Sequence, residues 1–252
     1  MTCMEDIPII FSEKFSRYKE IRFGFSTRKG GVSSEPYGMN LSFNVGDESL
    51  NVLGNRERFF GALRIGCDEL AIPHQVQGGL VHRVYTQGGY DACDGLITNS
   101  FGVHLTISAA DCLSIFMFDP IQKAIAAVHA GWRGSSMNIV ERAVKLMGEE
   151  FEADASDLII YVGPAAGICC YEVGEEVAKN FKEEFLVRNG DKNPHLDLKK
   201  HTMVELLDSG VLESNIEISD LCTICTPELF HSYRRDGKKS GRMMGVIGMT
   251  AY

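Results

Sequence analysis

The chain has 252 residues, 44% hydrophobic and 23% charged, with a formal net charge of −9 at pH 7. That composition is ordinary for a globular protein, and the acidic balance argues against broad, non-specific binding to nucleic acid. No run approaches the roughly 18 apolar residues that a membrane span needs.

The acidic start Met1-Thr2-Cys3-Met4-Glu5-Asp6 lacks the basic and apolar regions of a signal peptide. A cytoplasmic location follows as the expectation, with the eight cysteines reduced and serving as buried thiols or ligands. There is no internal repeat, low-complexity tract or flexible linker, so one domain over residues 1–252 is expected.

In chain order, residues 22–27 read as a strand, and 28–38 as a long loop bearing glycines. Residues 51–63 carry helical apolar spacing through Val52, Phe59, Phe60 and Leu63. Strands are predicted at Gly95–Thr98, 103–108, 113–118 and 124–128. Ser135 or Ser136 can cap a helix that runs to about Gly148. A buried strand follows at 158–162, helices at 175–186 and 198–207, and strands at Ile216–Ile218 and 244–247. Strands are not regularly separated by helices, and at least one pair is a hairpin. This predicts an α+β fold with mixed or antiparallel sheets rather than a doubly wound parallel sheet.

The hairpin carries the chemistry. Between the two predicted strands lies a turn, Asp119-Pro120-Ile121-Gln122, of a common hairpin length. If Phe118 pairs with Lys123, Cys112 lies opposite His129, with Cβ atoms roughly 4.5–5.5 Å apart. A thiolate and an imidazole so placed can share a metal or form a nucleophile–base pair. His129 leads into Ala130-Gly131-Trp132-Arg133-Gly134, where glycines permit close backbone approach and Arg133 can grip an anion. Asp111 adjoins Cys112.

Two further clusters are candidate anion sites. One is 26–33, with Arg28, followed by Asn40-Leu41-Ser42. The other is His231-Ser232-Tyr233-Arg234-Arg235-Asp236, then Ser240-Gly241-Arg242. Cys222 and Cys225 form a Cys-x-x-Cys pair with no second ligand pair evident at suitable spacing, and read as buried thiols. Cys169-Cys170 reads as the structural start of a helix.

Taken together, these motifs resemble the YfiH/YlmD family, once called multicopper polyphenol oxidoreductases or laccase-domain proteins. The resemblance runs through Thr27-Arg28-Lys29-Gly30-Gly31-Val32-Ser33, Asn55-Arg56, Gln75-Val76-Gln77-Gly78, Ala110-Asp111-Cys112, His129 to Gly134, Gly163-Pro164, Cys170 to Gly174 and Ser232 to Asp236. It implies one α+β domain with a sandwich-like core flanked by helices. It also implies a zinc site of His, Cys and His, of which Cys112 and His129 carry over. The third position reads Gln77 where the family pattern has histidine. An amide oxygen is a poorer zinc ligand than imidazole. Gln77 therefore weakens the site, is an introduced substitution, or is replaced as ligand by His74 or His82. If this segment is a strand, both lie on the opposite face from Gln77 and need a bulge to reach the site.

The resemblance implies a purine nucleoside enzyme, phosphorolytic and also deaminating adenosine. Catalytic candidates are Cys112, His129, Asp111 and Arg133, and substrate-binding candidates are Arg28, Asn40, Arg234 and Arg235. Peptidoglycan-editing members such as PgeF imply a second reading, an amidase on an anionic cell-wall precursor. A third is a binding protein without chemistry. Copper oxidation is the weakest reading, because the chain has seven histidines and no His-x-His pair.

Overall fold

The computed structural model describes residues 7–188, 190 and 193–251. Readings of Met1 to Asp6, Cys3 included, lie outside the described residues.

The strands are β1 (Ile9–Ile10), β2 (Ile21–Ser26), β3 (Leu70–Pro73), β4 (Val81–Arg83), β5 (Gly88–Tyr90), β6 (Gly95–Thr98), β7 (His104–Ala109), β8 (Leu113–Asp119), β9 (Ala124–Ala130), β10 (Ile159–Val162), β11 (Leu186–Val187), β12 (His195–Leu196), β13 (Ile216–Ile218) and β14 (Met243–Met249). The helices are α1 (Ser49–Ala62), α2 (Trp132–Ser136), α3 (Ile139–Phe151), α4 (Glu175–Ala178), α5 (Leu198–Asp208) and α6 (Tyr233–Asp236). One six-stranded sheet has the order β1-β2-β14-β7-β3-β5, and the other β13-β10-β8-β9-β6-β4. Both mix parallel and antiparallel pairs, as the α+β reading expects.

The periodicity of two assigns the layers. In β8, Phe116 and Phe118 enter a core shared with Phe23, Phe25 and Ile247 of the facing sheet. Leu113, Ile115 and Met117 point the other way, onto Val140, Val144 and Met147 of α3. Both faces of β8 are covered, which is why the run Ile115 to Phe118 is apolar on both faces rather than alternating. On the far side of the first sheet, Met244 and Val246 pack on Phe59 and Phe60 of α1.

The hairpin register differs from expectation by two residues. Leu113 pairs with Ala130, Ser114 with His129 and Asp119 with Ala124. The cause is Asp119, whose Oδ1 accepts the N–H of Ile121 and Gln122 at 2.7 and 3.0 Å, so the turn begins at Pro120. A shift of two preserves the face of every side chain. Cys112 and His129 are diagonal rather than opposite, but remain on one side of the hairpin.

Other expectations also shift. The helix predicted over 175–186 stops after α4, because Asn180 Nδ2 donates to the carbonyls of Glu176 and Val177 and caps them. Cys169 and Cys170 sit in a turn, not a helix. Ser135 and Ser136 fall in the short α2, and α3 starts after Asn138 turns left-handed at φ 56°. Strands β3, β4 and β5 were not foreseen, having only three or four residues each, too few for a period of two to show, and pairing in parallel. Among the described residues no helix is long and apolar enough to cross a membrane.

Candidate active site

A cleft of about 830 Å³ is lined by Cys112, His129 and Gln77, with Arg56 and Arg242 on its wall. The end of β9 supplies His129, which is 5% exposed. Cys112 comes from the bend just before β8. Gly131 fits between them: a Cβ there would stand 3.1 Å from Cys112 Sγ and 3.9 Å from His129 Cε1. The constraint on this position is space rather than backbone conformation, since its φ of −78° suits any residue.

Asp94, which precedes β6, completes the arrangement and was missed in the sequence. Gly95 pairs with Val128, so continuing the ladder places Asp94 beside His129. Its Oδ1 lies 2.8 Å from His129 Nδ1, and its carboxylate accepts the N–H groups of Val76, Gln77 and Gly78 at 2.7–3.1 Å. Burial alone would raise the Asp94 carboxyl, but the hydrogen bonds from His129 and Gly78 outweigh it and hold the carboxyl below its usual range. Burial would likewise lower His129; the Cys112 charge and the Asp94 hydrogen bond prevail and raise it to about 9. With Nδ1 committed to Asp94, Nε2 is the nitrogen left for Cys112 and the cleft.

Gln77 stands at φ 57°, in the left-handed region, where the loop curls its N–H groups onto Asp94. Residues 74–80 are therefore not a strand, and the opposite-face argument against His74 does not apply. His74 lines the same cleft, bound to Asp91 at 2.5 Å. His82 lies on β4 and does not line it. The Gln77 side chain is turned to the rim, where Oε1 accepts from Arg133 Nη1 at 3.0 Å. Arg133 stacks on Trp132, 4.3 Å from the ring centroid.

The remaining candidates fall around the cleft rather than in it. Asp111, at φ 86°, directs its carboxylate away: Thr223 Oγ1, Ser232 Oγ and Arg234 N donate to it at 2.6–3.0 Å. It anchors the bend that holds Cys112. Arg234 donates to Glu172 O over the ring of Tyr171. Arg235 spends its guanidinium on the carbonyls of Thr223, Ile224 and Phe230 and on Asp236. Arg28 is bound to Glu35 and the carbonyls of Pro36 and Pro227, in a separate depression. Asn40 is fully buried, and its Oδ1 accepts from Ser42 N and Arg242 N, fixing two residues of the cleft wall.

The cations that line the cleft are Arg56 and Arg242, both lowered by burial from the ordinary guanidinium value. Arg56 donates Nε to Leu41 O, and Arg242 donates Nη1 to the carbonyls of Ser240 and Gly241. Residue type alone did not distinguish these arginines from the others. The signal available was their place in the Asn55-Arg56 and Ser240-Gly241-Arg242 motifs.

Cys112 Sγ and His129 Nε2 are good zinc donors, and the Asp94–His129 bond is the usual support for a metal-bound imidazole. The third donor is an amide already engaged by Arg133. Among the described residues no other histidine, cysteine or carboxylate joins Cys112 and His129 at mutual ligand distance. The set thus falls short of the three strong protein ligands of a catalytic zinc.

The family model described as multi-copper polyphenol oxidoreductase laccase matches residues 22–250. The chain belongs to this family. Its relatives include "Purine nucleoside phosphorylase YlmD" of Bacillus subtilis, 32% identical over 92% of this chain and 89% of that protein. "Purine nucleoside phosphorylase" of Deinococcus radiodurans is 39% identical over 89% of this chain and 88% of its own length. The crystal structure of Bacillus licheniformis YfiH superposes with a TM-score of 0.91 at 27% identity over 98% of both chains. The multi-copper laccase family name points to metal use. In this member, His74 and His129 are the histidines lining the cleft, out of seven in the chain.

Proposed function

We propose that this chain is a purine nucleoside phosphorylase, splitting a nucleoside such as adenosine, inosine, guanosine or methylthioadenosine with inorganic phosphate. One observation carries the reading: Cys112, His129 backed by the buried Asp94, and two half-buried arginines, Arg56 and Arg242, meet at one cleft. Arginine is suited to grip phosphate oxygens. In the reaction the bond from C1′ to the purine breaks and a phosphate oxygen bonds to C1′. The proton that phosphate gives up ends on the purine, and His129 Nε2 is the group placed to carry it. The relatives' names agree with this reading over most of the chain.

Deamination of adenosine, which calls for a metal-activated water, is expected to be the weaker activity, because Gln77 replaces a strong donor. A cytoplasmic location and a small-molecule substrate, with no nucleic-acid partner, belong to the same reading.

A second reading rests on the placement of His129, oriented by Asp94, beside Cys112 across Gly131. A cysteine–histidine pair oriented by a carboxylate can also supply the nucleophile for amide hydrolysis. Incubation with adenosine and phosphate decides. Formation of adenine and ribose 1-phosphate, sharply slowed in Arg242→Ala, is expected. Folded protein that is inert to nucleosides but hydrolyses UDP-MurNAc–L-serine establishes the amidase instead, and inertness to both leaves a binding protein.

A further inference from the structure

A second group of side chains lies outside the cleft. Cys169 and Cys170 stand in the loop after β10, and Cys222 and Cys225 in the loop after β13. Strands β10 and β13 pair in parallel, from Ile160 with Ile216 to Val162 with Ile218, so both loops leave the sheet side by side. A bridge between Ala165 and Cys222, with Thr223 N donating to Ala165 O at 3.0 Å, prolongs that contact. The adjacent cysteines thereby supply the second pair that the Cys-x-x-Cys lacked in the sequence.

The four Sγ atoms all lie within 4.8 Å of one another. Cys225 Sγ is 3.0 Å from that of Cys170 and 3.4 Å from that of Cys169. Four sulfurs bound at about 2.3 Å to a tetrahedral ion stand about 3.8 Å apart, so the group has the size of a single-ion shell. It is too tight to surround an iron–sulfur cluster. Gly167 N donates to Cys222 Sγ at 3.3 Å, the kind of backbone bond that supports a metal-bound thiolate. Cys222 is buried, Cys170 partly covered, and Cys169 and Cys225 are exposed, which leaves an entry path.

We propose that Cys169, Cys170, Cys222 and Cys225 hold one structural zinc ion as a closed tetrathiolate site. Binding displaces the thiol protons and transfers no electrons. The ion would pin two loops that build the wall behind Cys112. Ala166 N donates to Asp111 O, Thr223 Oγ1 donates to the Asp111 carboxylate, and Glu172 O accepts from Arg234. The site is separate from the Cys112–His129 pair and does not depend on the reaction proposed above.

The test is elemental analysis of the full chain after desalting, for the unaltered protein and for Cys112→Ala, Cys222→Ser and Cys225→Ser. One zinc per chain is expected in the unaltered protein and in Cys112→Ala, and none at this site in the other two. Because Cys222 is buried and its replacement can harm folding, the exposed Cys225→Ser is the deciding variant, with its fold checked by circular dichroism. Cobalt loading supplies a second readout: the intense thiolate-to-cobalt absorption should persist in Cys112→Ala and vanish in Cys225→Ser. Zinc content unchanged in Cys225→Ser overturns the proposal, as does loss of all zinc in Cys112→Ala. Recovery of these cysteines as disulfides, or of iron in place of zinc, overturns it equally.

Discussion

Asp94 and His129 are joined twice: carboxylate to ring at 2.8 Å, and His129 N–H to Asp94 carbonyl at 2.7 Å. The first bond selects the nitrogen that faces the cleft, and the second fixes the backbone that carries the ring. Asp94→Asn turns amide hydrogens toward donors already present at Val76, Gln77, Gly78 and His129. It should lower stability by about 3 kcal/mol and reduce kcat/KM at least about 10-fold. Urea unfolding and steady-state kinetics measure the two effects.

Gly131→Ala probes the gap between Cys112 and His129. The new Cβ, 3.1 Å from Cys112 Sγ, forces the thiol to shift by a few tenths of an ångström. The backbone needs no change, so the protein should fold with nearly unaltered stability while kcat falls more than KM changes. Labelling of Cys112 by iodoacetamide should change rate in parallel.

Gln77→His restores a third strong donor. Histidine tolerates the left-handed backbone at this position better than most residues. In a Cys225→Ser background, zinc affinity at the cleft should rise at least about 10-fold, and adenosine deamination should rise with it. Competition against a chromophoric chelator gives the affinity.

Arg242→Ala and Arg56→Ala test the anion wall. Loss of a charge-assisted hydrogen bond costs about 1.5–3 kcal/mol, roughly 10- to 150-fold in kcat/KM for phosphate. Arg28→Ala, whose guanidinium is bound to Glu35 in another depression, should leave that value nearly unchanged.

Glu205 offers a pH test remote from the cleft. Its side chain sits at the N-terminal end of α3, accepting from Glu141 N at 2.9 Å, and burial raises its carboxyl to about 7. The folded protein keeps a proton there that the unfolded chain gives up near 4.5. Its contribution to stability is full below that value and is lost as pH rises through about 7. Glu205→Gln should therefore flatten the dependence, gaining up to roughly 3 kcal/mol over the unaltered protein at high pH relative to low pH. Urea midpoints on both sides of the transition check the sign.

The hairpin and its two chemical residues were legible in the sequence because they are local. Apolar runs broken by Asp119-Pro120 specify two strands, and the period of two put Cys112 and His129 on one face even though the register was misplaced by two. The α+β class was legible from strands not regularly separated by helices and from the hairpin, whereas the sandwich-like core was implied by the resemblance to the family. What surrounds the pair is set by contacts between distant segments. Asp94 reaches His129 through the β6–β9 pairing, and Arg242 is set in the wall by Asn40, some two hundred positions away. Arg28, Arg234 and Arg235 carry the same charge as Arg56 and Arg242, yet their guanidinium groups are bound elsewhere. The four cysteines follow the same rule. Cys169-Cys170 and Cys222-x-x-Cys225 have no spacing that joins them in the sequence, and parallel pairing of β10 with β13 brings them together. Side-chain pattern determines which residues share a face; only the assembled sheets decide which faces meet.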